Sequence, residues 1–286
     1  MSTELAQSLI AMFSANKESG VFKKIRKNEV LKGLKLRSLD PGSINQGYAY
    51  LCGPAAFLFV IAKESPETYV KYIIDLYQTG NASIEELKVV AGSGCREYDP
   101  STQDSEAGRN YRAIAEVDWI GLASLRDSEN SFFNYDHHSD QFAGITFPGQ
   151  LASWFRKAGY NSIEERTNLV FDKGLSSLLE ANRKYVAGHE VCLFVGANIL
   201  LGRSKGRAPA DHWVVMTSPI QINSAPDLQC TPLEGLEEKG DSVYDMKISF
   251  KVFSWGEGSR PVNLTNRNMT VSQFLDYYYG YVAVQK

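Results

Sequence analysis

Apolar residues recur at helical spacing through the first part of the chain. Over residues 3–16 they lie three and four positions apart, which predicts a short amphipathic helix. Residues 53–63 are almost all apolar and carry Pro54 in the first turn, which favours a buried helix. The same patterns predict a capped helix start at 81–86 and helices over 66–77, 111–126 and 150–158.

Three polar stretches lie between these helices and are predicted to be loops. Residues 23–46 are basic and then rich in turn-forming residues, which is typical of a surface segment that leads into a core. Residues 92–108 and 127–144 are also polar. The last stretch carries His137, His138 and Asp140, which are metal-binding residue types, but no further ligand stands at a diagnostic spacing. A solvated loop is therefore preferred, and no metal or cofactor is predicted.

The pattern changes in the second half of the chain. Short runs rich in β-branched and aromatic residues predict strands at 167–171, 190–197, 213–218, 247–255 and 280–284. Helices are expected among them at 175–183 and 271–278. Helices come first and strands second, which predicts an α+β fold. We expect a single domain over residues 1–286, with a helical half at about 1–165 and a sheet half at about 166–286.

Composition and charge exclude several classes of function. The chain of 286 residues has a net charge of -3, so it offers no electrostatic reason to bind nucleic acid or anionic lipid. No segment approaches the roughly 20 apolar residues of a membrane span. The cysteines Cys52, Cys95, Cys192 and Cys230 are scattered, without the density of a disulfide framework or the spacing of a zinc site. This usage favours a reducing compartment.

The N-terminus lacks the basic region and continuous apolar run of a secretory signal peptide. We therefore expect the protein to be made, and first to fold, in the cytoplasm. A bacterial protein that is exported by a leaderless secretion route would show the same N-terminal pattern.

Cys52 is the leading candidate for a chemical role. It lies at the start of the apolar helix, where the positive end of the helix dipole favours a nucleophilic thiolate. Gln46 precedes it by six residues across a turn, near enough for its amide to face the reaction centre. That amide and the backbone N–H of Cys52 would form an oxyanion hole. The alternative is a cysteine that only packs in the core.

The segment from Gln46 through Cys52 and Gly53 into an apolar helix resembles the papain-like cysteine protease superfamily. The opening Cys-Gly-Pro-Ala is similar to the bacterial effector and toxin branch of that superfamily. The resemblance implies a papain-like fold, with the nucleophile helix packed on an antiparallel sheet. It also implies a histidine base at the start of a strand, which matches His212. The alternative for His212 is a buried histidine that is hydrogen-bonded at a strand end.

The third catalytic residue stays open among Ser254, Glu257 and Asp227. Papain-like enzymes carry an asparagine followed by Ser-Trp-Gly, and here Phe253 stands in place of that asparagine. If strands 213–218 and 247–255 are antiparallel neighbours, residues 253–257 lie near His212. Strand alternation puts Ser254 on one face with Phe250 and Val252, from which its hydroxyl would bond the imidazole. Glu257 ranks second and Asp227 third.

Together these residues predict a thiol-dependent hydrolase that cleaves an amide bond in a protein or peptide. His212 would take the thiol proton, Cys52 would attack the carbonyl, and Gln46 would stabilise the oxyanion. Residues 202–210 are basic and rich in glycine, and we expect them to form a lid over the site. The resemblance further implies a bacterial effector or toxin, with a secretion-system or immunity protein as its partner.

Alternative functions remain open at this level. A glutamine deamidase, an acyltransferase or a peptidoglycan amidase would use the same machinery on the same fold. A non-catalytic binding module is the alternative from another class, because Phe253 in place of the asparagine is typical of a decayed site.

Overall fold

The structure is a computed structural model. It describes residues 2–47, 49–102, 113–129, 146–168, 174–201, 210–223, 230–231, 237–254, 262–263 and 268–286. The chain divides into two compact units. The first unit comprises Met1–Phe147, Lys157–Gly159 and Trp255–Arg260, and the second comprises Pro148–Arg156, Tyr160–Ser254 and Pro261–Lys286.

The first unit is mainly helical. Its longer helices are α1 (Ser2–Ala15), α2 (Lys27–Leu39), α3 (Cys52–Glu64) and α4 (Pro66–Thr79). A short helix α5 (Ser93–Glu97) follows, and then a continuous helical run made of α6 (Glu116–Asp118), a π-helical turn (Trp119–Ala123) and α7 (Ser124–Ser128). Short 3-10 turns occupy Pro41–Ser43 and Pro100–Thr102.

Helix α3 is the centre of this unit, because every residue from Gly53 to Ala62 is buried. Helix α4 buries an apolar stripe and ends at Gly80, whose positive φ of 77° suits glycine and whose N–H caps the carbonyl of Leu76. Helix α1 packs on α4 through an edge-to-face contact between Phe13 and Tyr77. The helices predicted at 3–16, 53–63 and 66–77 are confirmed.

Two predictions for residues 23–86 of this unit are wrong. Residues 81–86 do not start a helix; strands β1 (Asn81–Ile84) and β2 (Leu87–Val90) form an antiparallel hairpin there. Alternating burial along β2 outweighs the capping pattern that Asn81 and the following glutamates provide. The segment 23–46 is not all loop, since α2 buries Val30, Leu34 and Arg37 at helical spacing while its lysines stay on the outside.

The second unit carries the main sheet. Its helices are α8 (Pro148–Lys157, of which Lys157 belongs to the first unit), α9 (Leu175–Val186) and α10 (Val271–Leu275). Within the described residues, six strands form one antiparallel sheet in the order β10 (Val262–Asn263), β9 (Lys251–Phe253), β5 (His212–Met216), β4 (Glu190–Val195), β11 (Tyr278–Gln285) and β3 (Ser162–Thr167). Strand β4 is buried along its whole length.

A smaller sheet contains β7 (Cys230–Thr231), β6 (Gln221–Asn223) and β8 (Lys247–Ser249), in that order. Short 3-10 segments span Ala197–Leu201 and Glu237–Asp245. The strand predicted at 247–255 is therefore divided at Phe250: β8 joins the smaller sheet and β9 joins the main one. The strand pattern alone does not show this division, because Ile248 and Val252 are both buried and apolar.

Other boundaries move by several residues. Strand β3 ends at Thr167, where the predicted strand 167–171 was expected to begin, and residues 169–173 lie outside the described residues. The helix predicted at 111–126 begins at Glu116 in the described part, and the one predicted at 271–278 ends at Leu275. Residues 92–108 were expected to be a loop, but they include α5. The helices predicted at 150–158 and 175–183 and the strands at 190–197, 213–218 and 280–284 are confirmed.

The α+β class is confirmed, with the strands of the main sheet paired antiparallel. The single-domain organisation with two halves stays a prediction. Within the described residues, no helix combines the length and the apolar character that crossing a membrane requires.

The glycine that follows Cys52 gives a stability prediction. A Cβ at Gly53 would lie 2.3 Å from the Cβ and Oγ1 of buried Thr146, so Gly53→Ala forces one of the two segments to move. We expect this variant to lose about 1–3 kcal/mol of unfolding free energy, as overpacked cores do. Gly149→Ala is the matched control, because nothing lies within 4 Å of its Cβ position. Thermal unfolding of both variants checks this, and equal melting temperatures would contradict it.

Candidate functional site

Cys52 is the first residue of α3 and is partly exposed, whereas the ten residues that follow it are buried. Its sulfur is a thiol and forms no disulfide. Leu51 precedes the helix and gives it no side-chain cap, so the helix dipole and the first-turn N–H groups favour an anion at this end. A thiol in this position suits nucleophilic chemistry better than one in the middle of the helix.

Gln46 is buried, and its side-chain amide has a fixed orientation. The side-chain Oε1 accepts a hydrogen bond from the backbone N–H of Leu51 at 2.8 Å. The backbone carbonyl of Gln46 accepts another from the N–H of Ala49 at 3.0 Å. Because Leu51 offers a donor, the amide atom that faces it is the oxygen. The NH2 group therefore occupies the other branch of the amide and is the part of the side chain that can donate a hydrogen bond.

His212 is the first residue of β5 and pairs across the sheet with Val195 of β4. The side chain is buried, with 2% of its surface exposed, and its Nε2 lies 3.1 Å from Oγ of Ser254. Next to it, Trp213 stacks on Phe194 with a centroid distance of 4.5 Å. The imidazole is thus held at the sheet end by the Ser254 hydroxyl, whereas the aromatic pair lies on the opposite face of the sheet, because successive side chains of a strand alternate between faces.

Burial also sets the charge state of this histidine. Removal from water disfavours the imidazolium, so the pKa of His212 lies well below its ordinary value of 6.5. The ring is neutral near pH 7 and can accept a proton. The same features also suit a histidine that only fills a buried position, which is the alternative interpretation.

The strand pairing that placed Ser254 near His212 is confirmed. Strands β5 and β9 are antiparallel neighbours, with Val215 opposite Phe253 and Met216 opposite Val252. Ser254 follows β9 directly and is buried. Its hydrogen bond to His212 follows from this register, whereas its role in catalysis stays a prediction.

The four predicted site residues form two local pairs. Gln46 and Cys52 lie in the first unit, joined through the turn at Leu51, and His212 and Ser254 lie in the second unit, joined by a hydrogen bond. The remaining candidates, Glu257 and Asp227, lie outside the described residues. So do residues 202–209 of the lid predicted at 202–210, and the run 137–140. Within the described residues, no three His, Cys, Asp or Glu side chains converge as metal ligands.

Three polar residues around this site were not singled out from the sequence. Arg37 and Asp118 form a buried ion pair, and Asn45 donates its backbone N–H to the same carboxylate at 3.1 Å. One sequence signal could have indicated Asp118, since it interrupts the apolar run Val117-Asp118-Trp119-Ile120. A carboxylate in such a run requires a buried partner.

The depressed pKa of His212 predicts how stability depends on pH. Below pH 6.5 the unfolded chain binds a proton at this position that the folded protein binds only at much lower pH, so stability falls as the pH is lowered. The slope that this one group contributes approaches about 1.4 kcal/mol per pH unit. His212→Asn should flatten the profile below pH 6.5. Denaturant unfolding of both proteins at several pH values measures the difference, and parallel profiles would refute the assignment.

No protein-family model, no curated protein and no solved structure gives a significant match to this chain. The chemistry of the site therefore rests on its own residues.

Proposed function

We propose that this protein is a thiol-dependent hydrolase of the papain-like type, which cleaves an amide bond in a protein or peptide. The observation that carries the proposal is the position of Cys52: a partly exposed thiol at the first residue of a helix whose next ten residues are all buried. A structural cysteine gains most from being inside such a helix. A nucleophile gains most from its N-terminus, where backbone N–H groups and the dipole stabilise negative charge.

The chemical steps follow from the states of the side chains. His212 is neutral near pH 7, which is the form that takes the proton of the Cys52 thiol as the sulfur attacks the carbonyl carbon. The carbonyl oxygen becomes an oxyanion, which the Gln46 NH2 group and the backbone N–H of Cys52 stabilise. The amine then leaves with the proton from His212, and water hydrolyses the thioester to regenerate the thiol.

In this mechanism Ser254 orients the base. Its Oγ lies 3.1 Å from Nε2 of His212, so the proposal assigns Nδ1 of the ring to the sulfur. A serine hydroxyl can donate or accept, and it fixes the tautomer less strictly than an amide oxygen does. We therefore expect Ser254 to orient the imidazole less strictly than the asparagine of papain-like enzymes does, whose position Phe253 occupies here.

Alkylation of Cys52 by iodoacetamide tests the proposal. At pH 7 we expect Cys52 to react at least about tenfold faster in the folded protein than in the same chain unfolded in guanidinium chloride, since the helix start and the base both promote the thiolate. His212→Asn should slow the reaction of folded Cys52 by about tenfold. Mass spectrometry of the peptide that contains Cys52 gives the rate.

Two controls make this result specific. His189→Asn removes a half-buried histidine and should leave the rate unchanged. Cys95 and Cys192 are buried and report whether the protein has opened during the experiment. If folded Cys52 reacts no faster than unfolded Cys52, or if His212→Asn has no effect, the protein is better described as a non-catalytic binding module.

Removing the Ser254 hydroxyl should have a smaller effect. Ser254→Ala leaves the imidazole without the hydrogen bond that orients it, and we expect the alkylation rate to fall by a factor of about three, because one neutral hydrogen bond contributes roughly 0.5–1.5 kcal/mol. Ser254→Thr keeps the hydroxyl and should retain most of the rate. Ser249→Ala, at a buried serine of β8, is the control. A full rate in Ser254→Ala would argue against the orienting role.

Reaction products separate the related activities. Release of a new peptide amine from a protein substrate indicates a protease, release of ammonia from glutamine indicates a deamidase, and transfer to an added amine indicates an acyltransferase. Cleavage of cell-wall peptides would indicate an amidase. The proposal that the protein acts as a bacterial effector or toxin, with a secretion-system or immunity partner, depends on the first of these outcomes.

A further inference from the structure

The turn that carries Gln46 is attached to a buried ion pair. Arg37 of α2 donates from Nε to Oδ1 of Asp118 at 2.7 Å and from Nη2 to Oδ2. The side chain of Arg37 is 6% exposed and that of Asp118 is fully buried. The carboxylate therefore meets the guanidinium in the two-pronged geometry that gives the strongest charge-assisted hydrogen bonds.

The same carboxylate holds the backbone just before Gln46. Its Oδ2 accepts the N–H of Asn45 at 3.1 Å, and Oδ1 of Asn45 in turn accepts the N–H of Gly47 at 2.7 Å. Gly47 has a φ of 57°, which a residue with a side chain rarely adopts. Gln46 is thus fixed on its N-terminal side by Asp118, on its C-terminal side by the Asn45 turn, and at its side chain by Leu51.

An ion pair at this depth requires a reason other than stability. Taking two charges out of water offsets most of their attraction, and apolar residues of similar volume often stabilise a core equally well. What an apolar pair cannot supply is an acceptor for the N–H of Asn45. The arrangement is therefore suited to fixing the position of the Gln46 turn rather than to adding stability to the helices.

We propose that Arg37 and Asp118 are positioning residues that hold the Gln46 amide in place as the oxyanion donor for acyl transfer at Cys52. This inference rests on the proposed function, because it assumes that Cys52 forms an acyl intermediate. The inference also separates two properties of the site. His212 and the helix control the reactivity of the thiol, whereas Gln46, held by Arg37 and Asp118, controls the stabilisation of the substrate oxyanion.

Two reagents distinguish these properties. Iodoacetamide alkylates the thiolate by displacing iodide, and no oxyanion forms. With p-nitrophenyl acetate the sulfur attacks the ester carbonyl, an oxyanion forms and collapses, the C–O bond breaks to release p-nitrophenolate, and Cys52 becomes S-acetylated. Water then breaks the thioester bond and releases acetate. A loss of oxyanion stabilisation therefore lowers acetylation without lowering alkylation.

The main experiment compares the two rates at Cys52 in the unmodified protein and in the double variant Arg37→Met/Asp118→Leu. The apolar pair removes both charges together, so no unpaired charge is left in the core. We expect acetylation to fall about tenfold and alkylation to change less than twofold. Gln46→Ala, which removes the donor itself, should lower acetylation by about a hundredfold, as the loss of one oxyanion-hole donor does.

If the double variant does not fold, Arg37→Lys tests the ion pair: it keeps a charge beside Asp118 and removes the two-pronged hydrogen bonding, so acetylation should fall while alkylation is kept. A further variant tests the next hydrogen bond of the same turn. Asn45 is half-buried, and Asn45→Ala removes only the acceptor for the Gly47 N–H, so acetylation should fall about threefold while alkylation is kept. Asn45→Asp restores an acceptor and should rescue the acetylation rate. Asn16→Ala is the matched control, because Oδ1 of Asn16 accepts the N–H of Glu18 at 2.8 Å in a similar local turn elsewhere in the unit.

The outcomes are separable. If p-nitrophenyl acetate acetylates Cys52 no faster in the folded, unmodified protein than in the unfolded chain, the proposed function itself fails. If Gln46→Ala loses acetylation but the double variant keeps it, or Arg37→Lys keeps it where the double variant does not fold, the positioning inference alone is overturned. A parallel loss of acetylation and alkylation in the folded variants would assign the ion pair a merely structural role.

Discussion

The burial of α3 from Gly53 to Ala62 is the constraint on which the rest of the first unit depends. A helix that is apolar from Gly53 to Ala62 must be covered on every side, and α4, the π-helical turn and the segment at Thr146 supply that cover. Once this stretch is enclosed, only the two ends of the helix meet solvent: Cys52 at its start, and Lys63 and Glu64 at its end. The position of Cys52 is thus a consequence of hydrophobic packing before any chemistry is considered.

Buried polar groups then define the surroundings of the two candidate pairs. Asp118 with Arg37 fixes the turn that carries Gln46, and Ser254 hydrogen-bonds the imidazole of His212. Buried polar groups without partners are costly, so a partly satisfied arrangement would have been a liability for folding. The hydrogen bonds of these groups suit both a preorganised site and a uniquely packed core. The reactivity of Cys52, and not the geometry, distinguishes the two.

Local sequence patterns predicted the elements wherever one signal dominated. The helix at 53–63 and the strand at 190–197 are almost wholly apolar, and both were predicted. Two signals competed at Asn81, where a capping pattern overlapped an alternating one, and the hairpin prevailed because its pairing buries Ile84 and Leu87. In α2 the many lysines concealed a helical stripe, since long charged side chains cover the outer face while Val30 and Leu34 pack inward.

The sequence by itself determined the α+β class, the place of Cys52 at a helix start and the register that sets Ser254 beside His212, because each follows from spacing over a few residues or from strand alternation. Only the tertiary structure decided that Phe250 divides one apolar segment between two sheets, that Thr146 lies against Gly53, and that Asp118 supports the turn before Cys52. The last two of these contacts join residues more than 70 positions apart, according to how the elements pack. Spacing along a chain carries no information about which distant segment will fill a given volume or satisfy a given buried N–H.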